Sequence, residues 1–589
     1  MISLRFQMIN SKNYLHNFKF ISMKRYIIIF AIILFCFGCK QAANNTSLDF
    51  SKKGLISENA MVVSAREEAS KIGILILKKG GNAFDAMIAT EFALAVSYPF
   101  AGNLGGGGFM VYRLENGAIG TLDYREKAPL AATRDMYLDS LGDVIPNKST
   151  LGALAVGIPG TVAGMFEVHE KFGTLPISEI IKPVIELAEN GIVITKKQSE
   201  RFKDKQDIFL KTNTDSIVFN KKWKQNDTIK FPALAKTLER IIQNGKDEFY
   251  KGKTAEKLVE FIQGIGGIIT LQDLELYEAK WRAPIEFKYD NLNIISMSPP
   301  SSGGICLAQI MKMIEPFNIE KYKHNSIKAI QIITEAERRA YADRSFYLGD
   351  PDFVNIPVEK LLDHKYLETR MASFSFEKAT KSNDIAHGNI SVIESMETTH
   401  YSIVDQFGNA IAATTTLNGA YGSKLYCSEL GFFLNNEMDD FSSKTGEPNM
   451  FGLIGAEANS IAPQKRMLSS MTPTIVEKND ELFMTLGTPG GSTIITCVLQ
   501  TILNVHEFEM SMQEAVDAPR FHHQWLPDEI VLESNSFRKP VIDSLQKLGY
   551  ITNENKTSIL GKVDGILVLE NGKLEGGADK RGDDKAIGF

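Results

Sequence analysis

The sequence predicts a layered α/β or α+β fold, on three observations. Helix-period apolar patterns recur at Ala65–Lys79, Ala83–Ala95 and Ile327–Asp343. Strand-like runs recur near Phe109–Leu114, Thr399–Asp405, Ala410–Leu417, Leu482–Leu486 and Gly565–Leu569. The 589 residues are 44% hydrophobic and 23% charged, an ordinary globular balance that can bury a sizeable core. Both element types along one such chain call for stacked layers. No internal repeat or low-complexity stretch interrupts them. A formal net charge of -6 argues against a nucleic-acid partner, which would ask for a strongly basic face.

The N-terminus carries export information. Met23-Lys24-Arg25 precedes an apolar run from Tyr26 to Phe37, and Gly38-Cys39 follows. A basic start, a short apolar stretch and a small residue make a secretory signal. The run is too short to span a bilayer comfortably as a permanent helix. Cysteine directly after the small residue resembles a bacterial lipoprotein signal, which makes Cys39 the expected lipidated terminus. Cys36 and Phe37 depart from the usual residues at their positions, and an uncleaved anchor is the alternative. The expected organisation is a leader over 1–38, with Met23 as an alternative start, and a polar tether over 39–53. The expected location is the periplasm or cell envelope, lipid-anchored to the membrane.

Few polar residue types look like metal or cofactor ligands. Cys306, Cys427 and Cys497 are an odd number without metal-ligand spacing, and read as buried small hydrophobes. His522-His523 are adjacent, so on an extended segment they face opposite ways. Gly102 to Gly108 is glycine-rich, but Met110 stands where a dinucleotide loop needs its last glycine. Gly252-Lys253-Thr254 mimics the end of a phosphate loop, yet Asp247 stands where its first glycine belongs. No metal or cofactor is expected.

The chemistry concentrates around one hairpin. Thr398 to Asp405 reads as a strand, Gln406-Phe407-Gly408-Asn409 as a turn, and Ala410 to Leu417 as the return strand. Folding about Phe407 and Gly408 places Thr398 across from Thr416, within one residue of register. By itself such a threonine pair means little, because β-branched residues favour sheets anyway.

The surrounding motifs give the pair its meaning. Glu397-Thr398-Thr399-His400-Tyr401-Ser402 resembles the processing junction of the γ-glutamyltransferase family. Leu434-Asn435-Asn436-Glu437-Met438-Asp439-Asp440-Phe441, Leu468-Ser469-Ser470-Met471-Thr472-Pro473 and Gly487-Thr488-Pro489-Gly490-Gly491-Ser492 resemble its later segments. In the first half, Gly80-Gly81-Asn82-Ala83, Asn103 to Phe109, Asp123-Tyr124-Arg125-Glu126, Pro299 to Gly304 and Ala340-Tyr341-Ala342-Asp343-Arg344 match too. The matches run in family order from about residue 54 to 589.

The resemblance implies a four-layer αββα sandwich of the N-terminal-nucleophile hydrolase type, with one core built from two autoproteolytic fragments. It implies that Thr398 cuts the Glu397–Thr398 bond and then serves as nucleophile, with Thr416 holding it. The implied oxyanion donors are the Gly490 and Gly491 amides. Arg125, Ser469 and Ser470 would take the substrate carboxylate; Asp440, with Glu437 and Asn418, would take its ammonium. The implied substrates are glutathione and other γ-glutamyl compounds, and the acceptors are water, amino acids or dipeptides. The two fragments, 54–397 and 398–589, would form a heterodimer. Ser442 to Gly455 corresponds to a lid, with Phe451 where many members have tyrosine. Two other readings stay open at this point: an acylase cleaving glutaryl side chains, and an unprocessed lipoprotein acting as a binder.

Overall fold

A computed structural model describes residues 53–102, 104–385, 398–557 and 559–589. The leader, the tether up to 52, Cys39, Asn103 and Glu397 lie outside the described residues.

The strands assemble into two seven-stranded, wholly antiparallel sheets. The first runs in the order Lys585–Gly588, Met61–Ser64, Thr399–Val404, Ala410–Thr416, Gly107–Arg113, Ile119–Asp123 and Lys280–Arg282. The second runs Leu55–Ser57, Leu574–Ala578, Asp564–Val568, Glu481–Gly487, Thr474–Lys478, Leu292–Ser296 and Ile285–Tyr289. Chain before and after residue 398 supplies strands to both, so neither part owns a sheet.

Side-chain alternation shows why four layers form. In the first sheet Val62, Ile403, Ile411, Ala413 and Met110 join a core shared with helices Glu67–Lys78 and Ala83–Ser97. Their neighbours Met61, Val63, Val404, Ala410, Ala412 and Val111 face the other way, into a core with Ile475, Met484, Leu486 and Ile566 of the second sheet. Helices Gly303–Ile314, Ile327–Tyr347 and Ile494–His506 cover that second sheet. Strand Ala410–Thr416 is buried along its whole length, which is why its residues read as a continuous rather than alternating run. The result is the expected helix–sheet–sheet–helix sandwich.

The predicted elements appear with small shifts. Helix Ala83–Ser97 begins where Asn82 accepts from the Phe84 and Asp85 amides and Asp85 accepts from Asn82 N–H in return. The helix predicted to end at Asp343 continues to Tyr347 and carries Arg344 in its last turn. Glycines 107 and 108 open strand Gly107–Arg113, not a helix, as their failed spacing indicated. At the other decoy, Glu248 Oε1 already accepts from the Thr254 amide and hydroxyl, at 3.1 and 2.8 Å.

The three cysteines beyond the leader are buried and free, and burial pushes their thiols up: Cys306 to about 12, Cys427 and Cys497 to about 11. They are packing residues, as expected. His522 bonds Thr496 and Gln524, at 2.9 and 2.8 Å, and His523 bonds Asp528 and the Trp525 amide, at 3.3 and 3.1 Å. Among the described residues no helix is long and apolar enough to cross a membrane.

Candidate active site

Thr398 immediately precedes strand Thr399–Val404, whose register runs from Thr399 opposite Thr415 to Val404 opposite Ala410. One further step places Thr398 across from Thr416, the pairing expected from the sequence. Asp405 fixes that register from the far end. Its carboxylate accepts from the Phe407 and Asn409 amides, both at 2.9 Å, and from the first amide of helix Ala83–Ser97 at 2.8 Å. A single side chain therefore ties the hairpin turn to the outer helix layer.

The cleft beside Thr398 collects Thr416, Asn418, Arg125, Glu437, Asp440, Ser469, Ser470 and Gly491 from segments far apart in sequence. Thr398 is 4% exposed and Thr416 2%. Thr416 Oγ1 accepts from the Asn418 amide at 2.7 Å, with Asn418 in the left-handed region at φ 70°. Asparagine tolerates that backbone better than most residues. A larger groove along Thr212, Lys257 and Glu429 lies apart from these residues.

The Gly490–Gly491 turn depends on both glycines. Their φ values are 142° and 53°, and a Cβ on Gly491 would lie 2.5 Å from Phe451 Cδ1. The turn leads into the helical run Gly491–Thr493 and helix Ile494–His506. First amides of a helix have no partner within it, so they can serve a developing negative charge.

Charges dominate the floor. Arg125 is 1% exposed and donates to Glu437 Oε1 and, at 2.5 Å, to Asp440 Oδ2. The sequence assigns Arg125 and Asp440 to opposite ends of a ligand; here they bond each other. Burial works against the Arg125 cation, but Glu437, Asp440 and Glu126 outweigh it and raise its pKa. Burial likewise pushes the Glu437 and Asp440 carboxyls up, with the Arg125 charge opposing. Glu126 lies next to this group, 4.0 Å from Arg125, and burial pushes it up to about 8. His400, two residues after Thr398, bonds Thr414 and Ser402, and burial draws its pKa down to about 3. Its imidazole is therefore neutral near pH 7.

Several residues of the site escape sequence reasoning. Asn449 donates to Asp440 Oδ1 at 2.9 Å, and its own oxygen accepts from the Phe451 and Leu453 amides. Met450 Sδ accepts from the Asn418 and Asn436 side-chain amides at 3.7 and 3.5 Å. Phe451, 4% exposed, lies against Gly491. The segment read as a lid is thus seated through three consecutive residues, Asn449, Met450 and Phe451. Arg344 also lines the cleft; the sequence placed it in a family-matching segment at the end of a predicted helix but gave it no role.

The latch is testable. Asn449→Ala removes the donor to Asp440 and the acceptor for two amides, a loss of about 1–3 kcal/mol of local stability. Amide exchange across Ser442–Gly455 is expected to quicken about tenfold or more, with the melting temperature nearly unchanged. Unaltered exchange in this segment would show that Asn449 does not hold it.

Comparison with known proteins points in one direction. The family model described as gamma-glutamyltranspeptidase matches residues 69–589. The glutathione hydrolase proenzyme of Escherichia coli is 44% identical over 538 residues, covering 90% of this chain and 92% of that protein. The crystal structure of Helicobacter pylori gamma-glutamyltranspeptidase aligns at TM-score 0.54 and 43% identity, over 57% of this chain and 96% of that one. A cephalosporin acylase from Bacillus halodurans superposes at TM-score 0.80 with 22% identity, over 93% and 98% of the two chains. That last likeness is one of fold.

Proposed function

The chain belongs to the γ-glutamyltranspeptidase family, and we propose that it performs γ-glutamyl hydrolysis and transfer through Thr398, after cutting itself at the Glu397–Thr398 bond. The enzyme is a proenzyme of the glutathione hydrolase type with an N-terminal-nucleophile fold. The observation that carries the residue assignment is the convergence of Thr398, Thr416, the Gly490–Gly491 turn and a buried arginine–carboxylate group in one cleft.

In the first step Thr398 Oγ attacks the Glu397 carbonyl carbon and the peptide C–N bond breaks. The acyl group passes to oxygen and the nitrogen takes up a proton. Water then hydrolyses that ester, leaving a Glu397 carboxylate and a free α-amine on Thr398. Such an amine has a pKa near 7.7–8.0 and accepts the hydroxyl proton around neutrality. The activated oxygen attacks the donor's γ-carbonyl carbon, while the Gly490 and Gly491 amides receive the oxyanion. The leaving amine departs with a proton, and a γ-glutamyl ester remains on Thr398. Water or the amine of an amino acid or dipeptide releases it. Fragments 54–397 and 398–589 stay together as a heterodimer, because their strands share both sheets.

Recognition falls to the charged floor. Arg125 presents a planar fork suited to a carboxylate, with Ser469 and Ser470 beside it. Asp440, with Glu437 and Asn418, takes the α-ammonium. The free volume at the cleft is about 20 Å³, the room of one or two waters. A glutamyl group therefore enters as the Asn449–Asp440 contact opens, and it exchanges its two charges for those that Arg125 and Asp440 now offer each other. Release of p-nitroaniline from γ-glutamyl-p-nitroanilide, faster with a dipeptide acceptor present, tests this reading. No release would sink it.

We infer further that the protein is exported and anchored through lipidated Cys39, on the strength of the Met23–Gly38 pattern. The native protein should partition with membranes, and Cys39→Ala should free it or block its maturation. A fully soluble native protein with an unmodified N-terminus would leave a plain secretory signal instead. A single acyl chain anchors only marginally, so stable partition implies more than one.

A further inference from the structure

Eight arginines are buried among the described residues, and seven of them sit within 3.2 Å of a carboxylate. Arg344, 3% exposed, makes no ion pair with any described residue. Its neighbour Asp343 is turned away, engaged by Arg370 at 3.0 Å and by Gln309 and Tyr366. The carboxylate that acts on Arg344 is Asp440 of the same cleft, through space and without a direct bond. A buried guanidinium so weakly countered is costly, and at a ligand cleft it favours a ligand that brings an anion.

The surroundings of Arg344 show where that anion would sit. Nε donates to Ser302 Oγ at 2.9 Å, and Nη2 donates to Ser470 Oγ at 3.2 Å. Ser302 Oγ passes its own hydrogen to the Ser469 carbonyl at 2.7 Å, so one cation braces the Ser469–Ser470 backbone and side chain together. A guanidinium has no acceptor, so Ser470 Oγ must accept from it, and the serine hydrogen is left to point elsewhere. The cleft shared with Thr398 and Arg125 lies on that side. Arg125, by contrast, bonds the Glu437 and Asp440 carboxylates directly, with Glu126 at 4.0 Å.

We propose that Arg344 is a positioning residue of the donor's carboxylate subsite: it fixes Ser470 as a hydrogen-bond donor and supplies the cation that the donor's α-carboxylate neutralises. This rests on the γ-glutamyl reading and adds to it a residue that sets substrate selectivity. Donors that retain the free α-carboxylate are favoured, and donors whose carboxylate is masked as an amide lose the benefit of Arg344.

The test compares two chromogenic donors, γ-glutamyl-p-nitroanilide and its α-carboxamide, on purified processed enzyme. The ratio of their kcat/KM values measures carboxylate selectivity. Arg344→Gln should lower that ratio at least about tenfold, mainly through KM for the carboxylate donor. Arg344→Lys should recover part of it, since the charge returns without the fork. Ser470→Ala should lower the same ratio, and adding it to Arg344→Gln should lower it little more. A purely structural role would reduce both donors alike and leave the ratio unmoved. If Arg344→Gln does not mature, Arg344→Lys and Ser470→Ala carry the decision. A wild-type ratio in the maturing variants overturns the proposal while the γ-glutamyl reading stands. Wild-type enzyme that turns over neither donor overturns both.

Discussion

Thr398→Ala is expected to yield one unbroken polypeptide with no γ-glutamyl turnover. The variant lacks the hydroxyl proposed to attack the Glu397 carbonyl, so the acyl shift has no nucleophile. Without cleavage no free α-amine forms, and the base for catalysis is missing along with the nucleophile. The fold should survive, because Thr398 stands outside strand Thr399–Val404 and its loss leaves the hairpin register and the Asp405 clasp untouched. Intact-mass analysis decides the matter: two fragments of normal size from this variant would remove Thr398 from its role. Thr398→Ser keeps the oxygen and should mature more slowly, since the serine side chain loses the β-branch that restricts its rotamer. Thr416→Ala should mature slowly too, because the opposing hydroxyl no longer holds the nucleophile.

The second large effect is expected at the charged floor. Asp440→Asn keeps the shape and the contact with Asn449 but removes the charge that meets the donor's ammonium. Arg125→Lys keeps a charge but loses the two-pronged geometry. Leaving a buried charge without its partner costs about 2–5 kcal/mol. At about 1.4 kcal/mol per decade, kcat/KM for a γ-glutamyl donor should fall at least tenfold. Cleavage at residue 398 should persist in both variants, because neither side chain has a part in the proposed acyl shift. A glutaryl donor, which has no ammonium, should suffer much less from Asp440→Asn than the glutamyl donor does. Equal losses on the two donors would mean that Asp440 supports Arg125 rather than reading the ammonium. The direct Arg125–Asp440 bond makes this control necessary.

The fold was legible wherever a strand or helix keeps one period over a long run. The hairpin from Thr399 to Thr416 was readable to within one residue, because turn residues between two β-branched runs leave one compact register. The two-sheet order was not readable from pattern alone. It depends on pairings such as Met61–Ser64 with both Thr399–Val404 and Lys585–Gly588, which join residues hundreds of positions apart. The four-layer arrangement came from resemblance, and the alternating assignment of Val62 and Val63 to separate cores gives its physical cause.

The site divides in the same way. Arg125, Asp440, Ser469, Ser470 and the Gly490–Gly491 turn sit in recognisable local motifs, and all reach the cleft or its edge. Arg344, though part of a matching segment, and Asn449 carry no readable role in sequence, because what distinguishes them is what surrounds them in space. One is a buried arginine that lacks a directly bonded carboxylate; the other is an amide that bridges a carboxylate to its own loop. No window of sequence contains either fact. Phe451 shows the reverse case: the sequence correctly removed a hydroxyl from the lid, but did not reveal the seating by Asn449 and Met450.

The interleaving of strands from both sides of residue 398 makes maturation a test of assembly. Thr398 meets Thr416 only after the hairpin has been clasped between Met61–Ser64 on one side and Gly107–Arg113 on the other. A chain that has misregistered either neighbour has no formed cleft and keeps its nucleophile sealed inside a peptide bond. Activation is thereby gated by completed folding, without any outside protease to inspect the product. The same clasp makes the cut irreversible in practice, since the two pieces cannot drift apart without tearing every hydrogen-bonded seam between them.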